Sequence, residues 1–404
     1  MFTDASFTAA KARLDVVLPR LGRDYAQRRN HDRGAADRSN VSALSPWIRN
    51  GVISERVVLE AVLSAYSPAD AGAFVSEVFW RSYFKGWLEH RPGVWEAYRT
   101  DVRALTSRLK QDAALRRDWE AAVSGTTGID AFDHWARELV ETGYLHNHAR
   151  MWFASIWIFT LNLPWQLGAD FFLRQLIDGD PASNTCSWRW VAGLHTQGKH
   201  YLARAENIAR FTEGRFNPVG QLNETAAPLQ ESRHFDPVPL AWPDAVPLTG
   251  RAGLLLTCDS HDEGWQAAEP PASVLALAVP ALRSPGRVSD AVIAFEQTAL
   301  VGRADMFGQR ARPVGLARDT AGVLELVCNW VRAEALETVV LPYTTIGPVR
   351  DFVPDLVASL REAGVSISLP TRRHDRLSWP HASKGFFKLK REIPGILQAM
   401  EQTL

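Results

Sequence analysis

Over residues 1 to about 215, apolar residues recur at three- and four-residue spacing, as in FTAAKARLDVVLPRL and AFDHWARELV. That spacing lines one face of a helix with 3.6 residues per turn. Strand-length runs of β-branched residues are few, and Ser54 before ERVVLEAVL and Asp130 before AFDHWARELV supply helix caps. The pattern predicts an all-α domain over 1–216. Over 217–250 the periodicity fades, and FNPVGQLNETAAPLQESRHFDPVPLAWPDAVPLTG carries six prolines, which predicts a linker. Beyond 251, short apolar runs alternate with helical segments. GLLLTCD (253–259), SVLALAVP (273–280), ETVVLPY (337–343) and VSISLP (365–370) read as strands. SDAVIAFEQTALVG, TAGVLELVCNWVRAE and VRDFVPDLVASLREAG read as helices, the last stopped by Gly364. Buried strands alternating with helices predict a mainly parallel sheet covered on both faces, a Rossmann-like α/β domain over 251–404. The fold class is therefore multi-domain, α followed by α/β.

Composition changes this picture little. Apolar residues make up 46% and charged residues 22%, and 45 Lys and Arg balance 45 Asp and Glu, so no overall charge points to nucleic acid. No apolar run reaches membrane-spanning length and the N-terminus lacks a signal-peptide core, so the expected location is cytoplasmic, with no membrane partner. Cys186, Cys258 and Cys328 are too scattered for zinc or a four-thiolate cluster. The unusual count is 15 tryptophans, 11 of them at or before Trp190. Tryptophan fills cores, stacks on flat rings and carries single electrons.

Four stretches offer chemistry. In TGYLHNHARM (142–151), His146 and His148 lie two apart and point to opposite sides of a helix, which argues against a metal site. Asn147, Arg150 and Met151 share a face that suits a flat, polar-edged ligand. In LIDGDPASNTCSWRW (176–190), Asp178 and Asp180 flank Gly179 without the EF-hand spacing; Asp178 is placed to pair with Arg150, and Asp180 to accept hydrogen bonds from a ring's imide edge. SNVSALSPWIRNGVIS (39–54) sets Ser42 and Ser45 ahead of Pro46 and a helix, an arrangement suited to phosphate. EVFWRSYFKGW (77–87) puts Glu77, Trp80, Arg81 and Phe84 at helical spacing.

Taken in order, these four stretches resemble the FAD-binding helical domain of the photolyase/cryptochrome family, over roughly residues 20–200. The family's own versions read TSxLSPYLxxGxLS, ExxWREFY, TGxMHNRxRM and DGDxAxNxxxWQW. The resemblance implies FAD as cofactor. It assigns phosphate contacts to Tyr25 and to Val41, Ser42, Ala43, Leu44 and Ser45, and flavin or ribose contacts to Arg81, Asn147, Arg150, Asp178, Gly179 and Asp180. Asn184 matches the residue beside flavin N5, and Trp188 and Trp165 match the first two members of an electron-transfer chain, with Trp95 or Trp119 as candidates for the third. It also implies a substrate pocket for a pyrimidine dimer, with Glu77, Trp80, Met151 and Trp190 at its four lining positions and Asn147 beside them.

This chain departs from the family pattern at several points. After Trp190 it reads VAGLHTQGKHYLARAENIARFTEGRFNP, WRE has become WRS at Ser82, and HNR has become HNH at His148. Residues 1–215 carry 27 Lys and Arg against 24 Asp and Glu, a near-neutral balance for a duplex binder, with Arg28, Arg29, Arg33 and Arg38 as a candidate local patch. The end of the chain, through LSWPHASKGFFKLKREIP, resembles the late part of the family's antenna domain, which implies a domain order in which that domain follows the FAD domain; the alternative is an unrelated Rossmann-like domain. Lys384, Lys388, Lys390 and Arg391 form a basic tail, either a solvated face or part of a DNA patch. The antenna chromophore is not legible in the sequence. Two functions stay open: a lyase acting on UV-damaged DNA, and a blue-light photoreceptor with a protein partner. A flavin-binding relative without photochemistry is a third.

Overall fold

A computed structural model describes residues 2–243, 248–260 and 269–401. Residues 244–247, 261–268 and 402–404, which fall within the linker and α/β readings, lie outside the described residues. Twelve α-helices lie between Phe7 and Phe211 among the described residues, from α1 (Phe7–Val17) to α12 (Ala205–Phe211). The longest, α5 (Pro68–Glu89), starts where Ser67 accepts the Asp70 N–H and Pro68 takes the first helical position. Phe74, Val75, Val78, Phe79, Ser82, Tyr83 and Gly86 form its buried stripe. Ser54 caps α4 (Glu55–Ala65) as its sequence predicts. Asp130 does not cap α8 (Asp130–Thr142); it is the first helical residue, and Asp133 instead accepts the N–H groups of Thr127 and Gly128 at 2.8 and 2.9 Å. α8 ends at Gly143 (φ +66°) and α11 (Pro181–Ala192) at Gly193 (φ +83°), left-handed positions that a side chain would strain.

The five strands are β1 (Ala252–Leu256), β2 (Ser273–Ala278), β3 (Gly315–Leu316), β4 (Thr338–Val340) and β5 (Ser366–Ser368). They form one parallel sheet in the order β3-β2-β1-β4-β5. Side chains alternate between two cores. Leu255, Leu277 and Val339 meet Val323, Val327, Phe352 and Leu356 of α14 (Thr320–Ala333) and α15 (Pro348–Glu362). Leu254, Leu256 and Val340 meet Leu300 and Ala304 of α13 (Asp290–Asp305). β4 and β5 are shorter than their apolar runs suggest, because Pro342 and Pro370 lack the N–H that would extend the ladder. β3 has two residues, too few for an alternating pattern to show.

The segment after α12 is irregular but pinned to the helices: Leu229 N–H bonds the Ala192 carbonyl, and Val238 N–H the His90 carbonyl. The helical half seats on the carboxyl ends of the strands. Arg49 pairs with Asp259 at 2.6 Å with both side chains buried, and a Cβ at Gly51 would stand 2.1 Å from the Ser260 carbonyl. Glu89 accepts the Tyr343 hydroxyl and the Ile346 N–H, each at 2.9 Å. The last helices, α16 (Arg373–Ser378) and α17 (Phe386–Glu401), pack on α5. No helix among the described residues is long and apolar enough to cross a membrane.

Candidate functional site

α11 packs against α5, against α9 (Asn147–Ser155) and against α10 (Trp165–Gln175). This brings together Glu77, Trp80 and Arg81 of α5, Asn147, Arg150 and Met151 of α9, and Asn184, Trp188 and Trp190 of α11. His146 is the N-cap of α9, its side chain accepting the His148 N–H at 3.1 Å, so the helix that carries the Asn147 face begins with it. Burial holds the His146 imidazole neutral, with its pKa lowered to about 4. His148 stacks on Trp152, ring centroids 4.0 Å apart, and faces the Asn30 carbonyl at 2.9 Å. The described residues hold no cluster of three or more metal-ligating side chains.

Two buried carboxylates organise the site. Asp178 accepts the Ser45 hydroxyl at 2.6 Å and pairs with Arg150 at 2.8 Å, the partner its sequence position suggests. Asp180 caps α11 by accepting the Ser183 N–H at 2.8 Å, and its other oxygen lies 3.2 Å from Arg81 and 3.7 Å from Lys85. Burial would raise the Asp180 pKa, but the charges of Arg81, Lys85 and Arg49 reverse that and hold it well below the usual carboxylate range. Arg81 also pairs with Glu55 at 3.1 Å, and Glu55 with Arg372 at 2.9 Å. Next to this line, Ser82 hydrogen-bonds His374 at 2.6 Å.

Gly179 turns its carbonyl to Arg49 at 2.9 Å. The 41–45 loop is held from behind by Arg13, which bonds the carbonyls of Arg38, Val41 and Ser42 at 2.8 to 2.9 Å. Ala43 sits at φ +51°, a left-handed position for a residue with a Cβ, and Leu44 is buried. Arg13 thus fixes the carbonyl side of this loop, and the Val41 N–H turns back to the Arg38 carbonyl at 3.4 Å. Tyr25 is buried edge-on to Phe74.

Glu77 pairs with Arg29, Trp80 stacks on Phe386 of α17 at 3.8 Å, and Trp190 stacks on Tyr201 at 5.8 Å. Met151 is half-buried and Asn147 exposed. Asn184 donates to the Ala169 carbonyl at 2.9 Å. Trp188 is buried, edge-on to Trp157 at 6.2 Å and Phe172 at 5.1 Å. Trp165 stacks on Tyr98 at 5.7 Å, and Tyr98 on Trp95 at 5.4 Å. Trp95 therefore continues the aromatic line from Trp165, and its Nε1–H donates to Asp351.

The candidate patch of four arginines does not form. Arg28 pairs with Asp24, Arg29 with Glu77, Arg33 with Asp37 and Glu213, and Arg38 is buried against Glu138. Each of the four is offset by a carboxylate, although Arg28 stays at the surface. In the basic tail, Lys384, Lys390 and Arg391 are exposed. Arg13, Glu55, Lys85, Arg372 and His374 were not singled out by sequence; Lys85 lies in the EVFWRSYFKGW stretch, but the others belong to no motif, and Arg372 is 317 residues from Glu55.

The residues fit a flavin nucleotide. Arg81 Nη2 and Asp178 Oδ1 are buried polar atoms without hydrogen-bond partners, both at positions assigned to the cofactor. The sequence profile of the FAD-binding domain of DNA photolyase matches residues 74–236. A deoxyribodipyrimidine photo-lyase of Streptomyces griseus is 35% identical over 192 residues, covering 44% of this chain and 40% of that protein. A cryptochrome DASH of Idiomarina loihiensis is 29% identical over 230 residues, covering 54% and 48%. A solved class III photolyase from Agrobacterium tumefaciens matches at 28% identity with a TM-score of 0.43, over 52% of this chain and 43% of that one. The chain thus spans less than half the length of these relatives.

Proposed function

The helical half of the chain belongs to the photolyase/cryptochrome family, and from that premise we propose a blue-light-dependent flavoprotein that splits cyclobutane pyrimidine dimers in DNA. The observation that carries this reading is the set Glu77, Trp80, Met151 and Trp190, distributed over three helices that pack on one another. When bound, reduced FAD supplies the light-driven electron. Ser42, Ser45 and the 41–45 backbone hold its phosphates, with Arg81, Asp178 and Asp180 on its polar edges. Trp80 and Trp190 stack on the pyrimidine dimer flipped out of the duplex. Glu77 hydrogen-bonds the lesion and stabilises the negative charge it takes up. Trp188 and Trp165, continued by the buried Tyr98 and Trp95, carry electrons to the flavin.

Illuminating the reduced protein with a dimer-containing oligonucleotide tests this: restored thymine supports it, and intact dimer sinks it. A second reading, a photoreceptor without repair activity, is favoured by the four arginines that acids neutralise and by the engagement of Glu77 with Arg29. Light-dependent association with a protein partner, without thymine release, would select that reading.

A further inference from the structure

A cleft of about 170 Å³ lies between the end of α5, the loop after α11 and residues 231–235. It shares no lining residue with the flavin and lesion positions. Trp87 and Phe235 give it two flat aromatic walls, and Arg91, Arg189 and Arg233 supply three guanidinium groups. Glu231 is the one carboxylate in its lining, and it is shared between Arg189 at 2.7 Å and Arg233 at 3.0 Å. Arg233 has a second acid, Asp101 at 2.6 Å.

Arg91 forms no ion pair among the described residues. Its guanidinium lies 4.5 Å above the Trp87 ring, and one amino group donates to the Ser383 carbonyl at 3.0 Å. The other, Nη1, is buried without a hydrogen-bond partner, as are Nε of the buried Arg189 and Nδ1 of His195. The His195 ring packs 4.2 Å from Trp87, with Nε2 at 3.1 Å from the Tyr83 hydroxyl, and burial lowers its pKa to about 3; when that hydroxyl donates to Nε2, Nδ1 is a donor without a charge. Buried donors are normally satisfied, so three of them around one cleft point to an acceptor brought by a ligand. Guanidinium groups match a carboxylate in two-point geometry. A cavity of about 150 Å³ holds a benzene ring, so this cleft admits one ring and little more.

We propose that this cleft binds a small planar carboxylate, a single aromatic ring bearing one acid group, with the ring against Trp87 and Phe235 and the carboxylate on Arg91 and Arg189. Its lining residues Leu194, His195 and Gln197 fall in the stretch 191–218, where the sequence departs from the family pattern, and the proposal does not depend on repair activity. Calorimetric titration of the full chain with benzoate, benzamide and inorganic phosphate tests it. Benzoate should bind saturably with one site per chain, and benzamide and phosphate should each bind about tenfold or more weakly. Arg91→Gln should weaken benzoate by a similar factor and leave the flavin absorbance unchanged; Phe235→Ala carries the same expectation if Arg91→Gln fails to fold. No saturable benzoate binding at millimolar concentration, equal binding of benzamide or phosphate, or wild-type affinity in the folded variant overturns the proposal.

Discussion

Glu77 is held by Arg29, and that pair sets what its replacement should do. In the repair reading, Glu77→Gln keeps the shape but weakens the hydrogen bond to a charged lesion. Such bonds contribute about 1.5–3 kcal/mol, so repair yield per absorbed photon should fall about tenfold or more while flavin content is retained. Loss of flavin in that variant would instead make Glu77 a structural residue. His146 gives a second expectation. Its folded pKa of about 4 lies below the ordinary 6.5, so the unfolded chain takes up a proton first as pH falls. Stability should therefore decline from about pH 6.5 down to about 4. Asp180 contributes nothing to that window: its pKa is depressed, so its stabilisation is present above the ordinary carboxylate range and is lost only at lower pH. His146→Asn keeps a capping side chain and removes the titration, so chemical denaturation at pH 7 and pH 5 should show a smaller difference than in the wild type. An unchanged difference would remove His146 as a source.

Between elements, the line Arg372–Glu55–Arg81–Asp180 ties the segment entering α16 to the start of α11. Each side chain in it is largely buried. Removing one partner of a buried pair leaves an uncompensated charge and costs about 3–5 kcal/mol. Arg372→Gln should lower the unfolding free energy by that order and also weaken flavin retention, because Glu55 loses one of the two cations that fix it and so holds Arg81 less firmly, although Arg372 is assigned no contact with the cofactor. Retained flavin with lowered stability would confine Arg372 to a role in folding. The aromatic line makes a separate forecast: Trp188→Phe should slow flavin photoreduction severely. Trp95→Phe should slow it less, since Trp95 is the far end of the stack through Tyr98. Equal rates in both variants and the wild type would rule out this path.

At the scale of the molecule, the split between a helical half and an α/β half is legible because helices and strands impose different apolar periods on the chain. Asp178 with Arg150 was legible too, since both fall in short motifs that pair an acid just before one helix with a guanidinium on another. Glu55 with Arg372 was not, because a pairing across 317 residues leaves no periodic or local trace. The same holds for Phe386 on Trp80 and for Arg13 behind the 41–45 loop, where single residues on distant elements meet only after folding. The pairing of the four clustered arginines left no local trace for a related reason: carboxylates from other elements pair with three of them and a neighbouring Asp24 with the fourth.

Light-driven splitting of pyrimidine dimers by this chain can be read out in a single reaction. Purified, flavin-loaded and chemically reduced protein is mixed with an oligonucleotide carrying one thymine dimer and exposed to blue light, with a dark control. The account predicts restored thymines in the illuminated sample alone, and fewer of them with Glu77→Gln. Dimer left intact in the light by protein whose spectrum shows reduced flavin would contradict it.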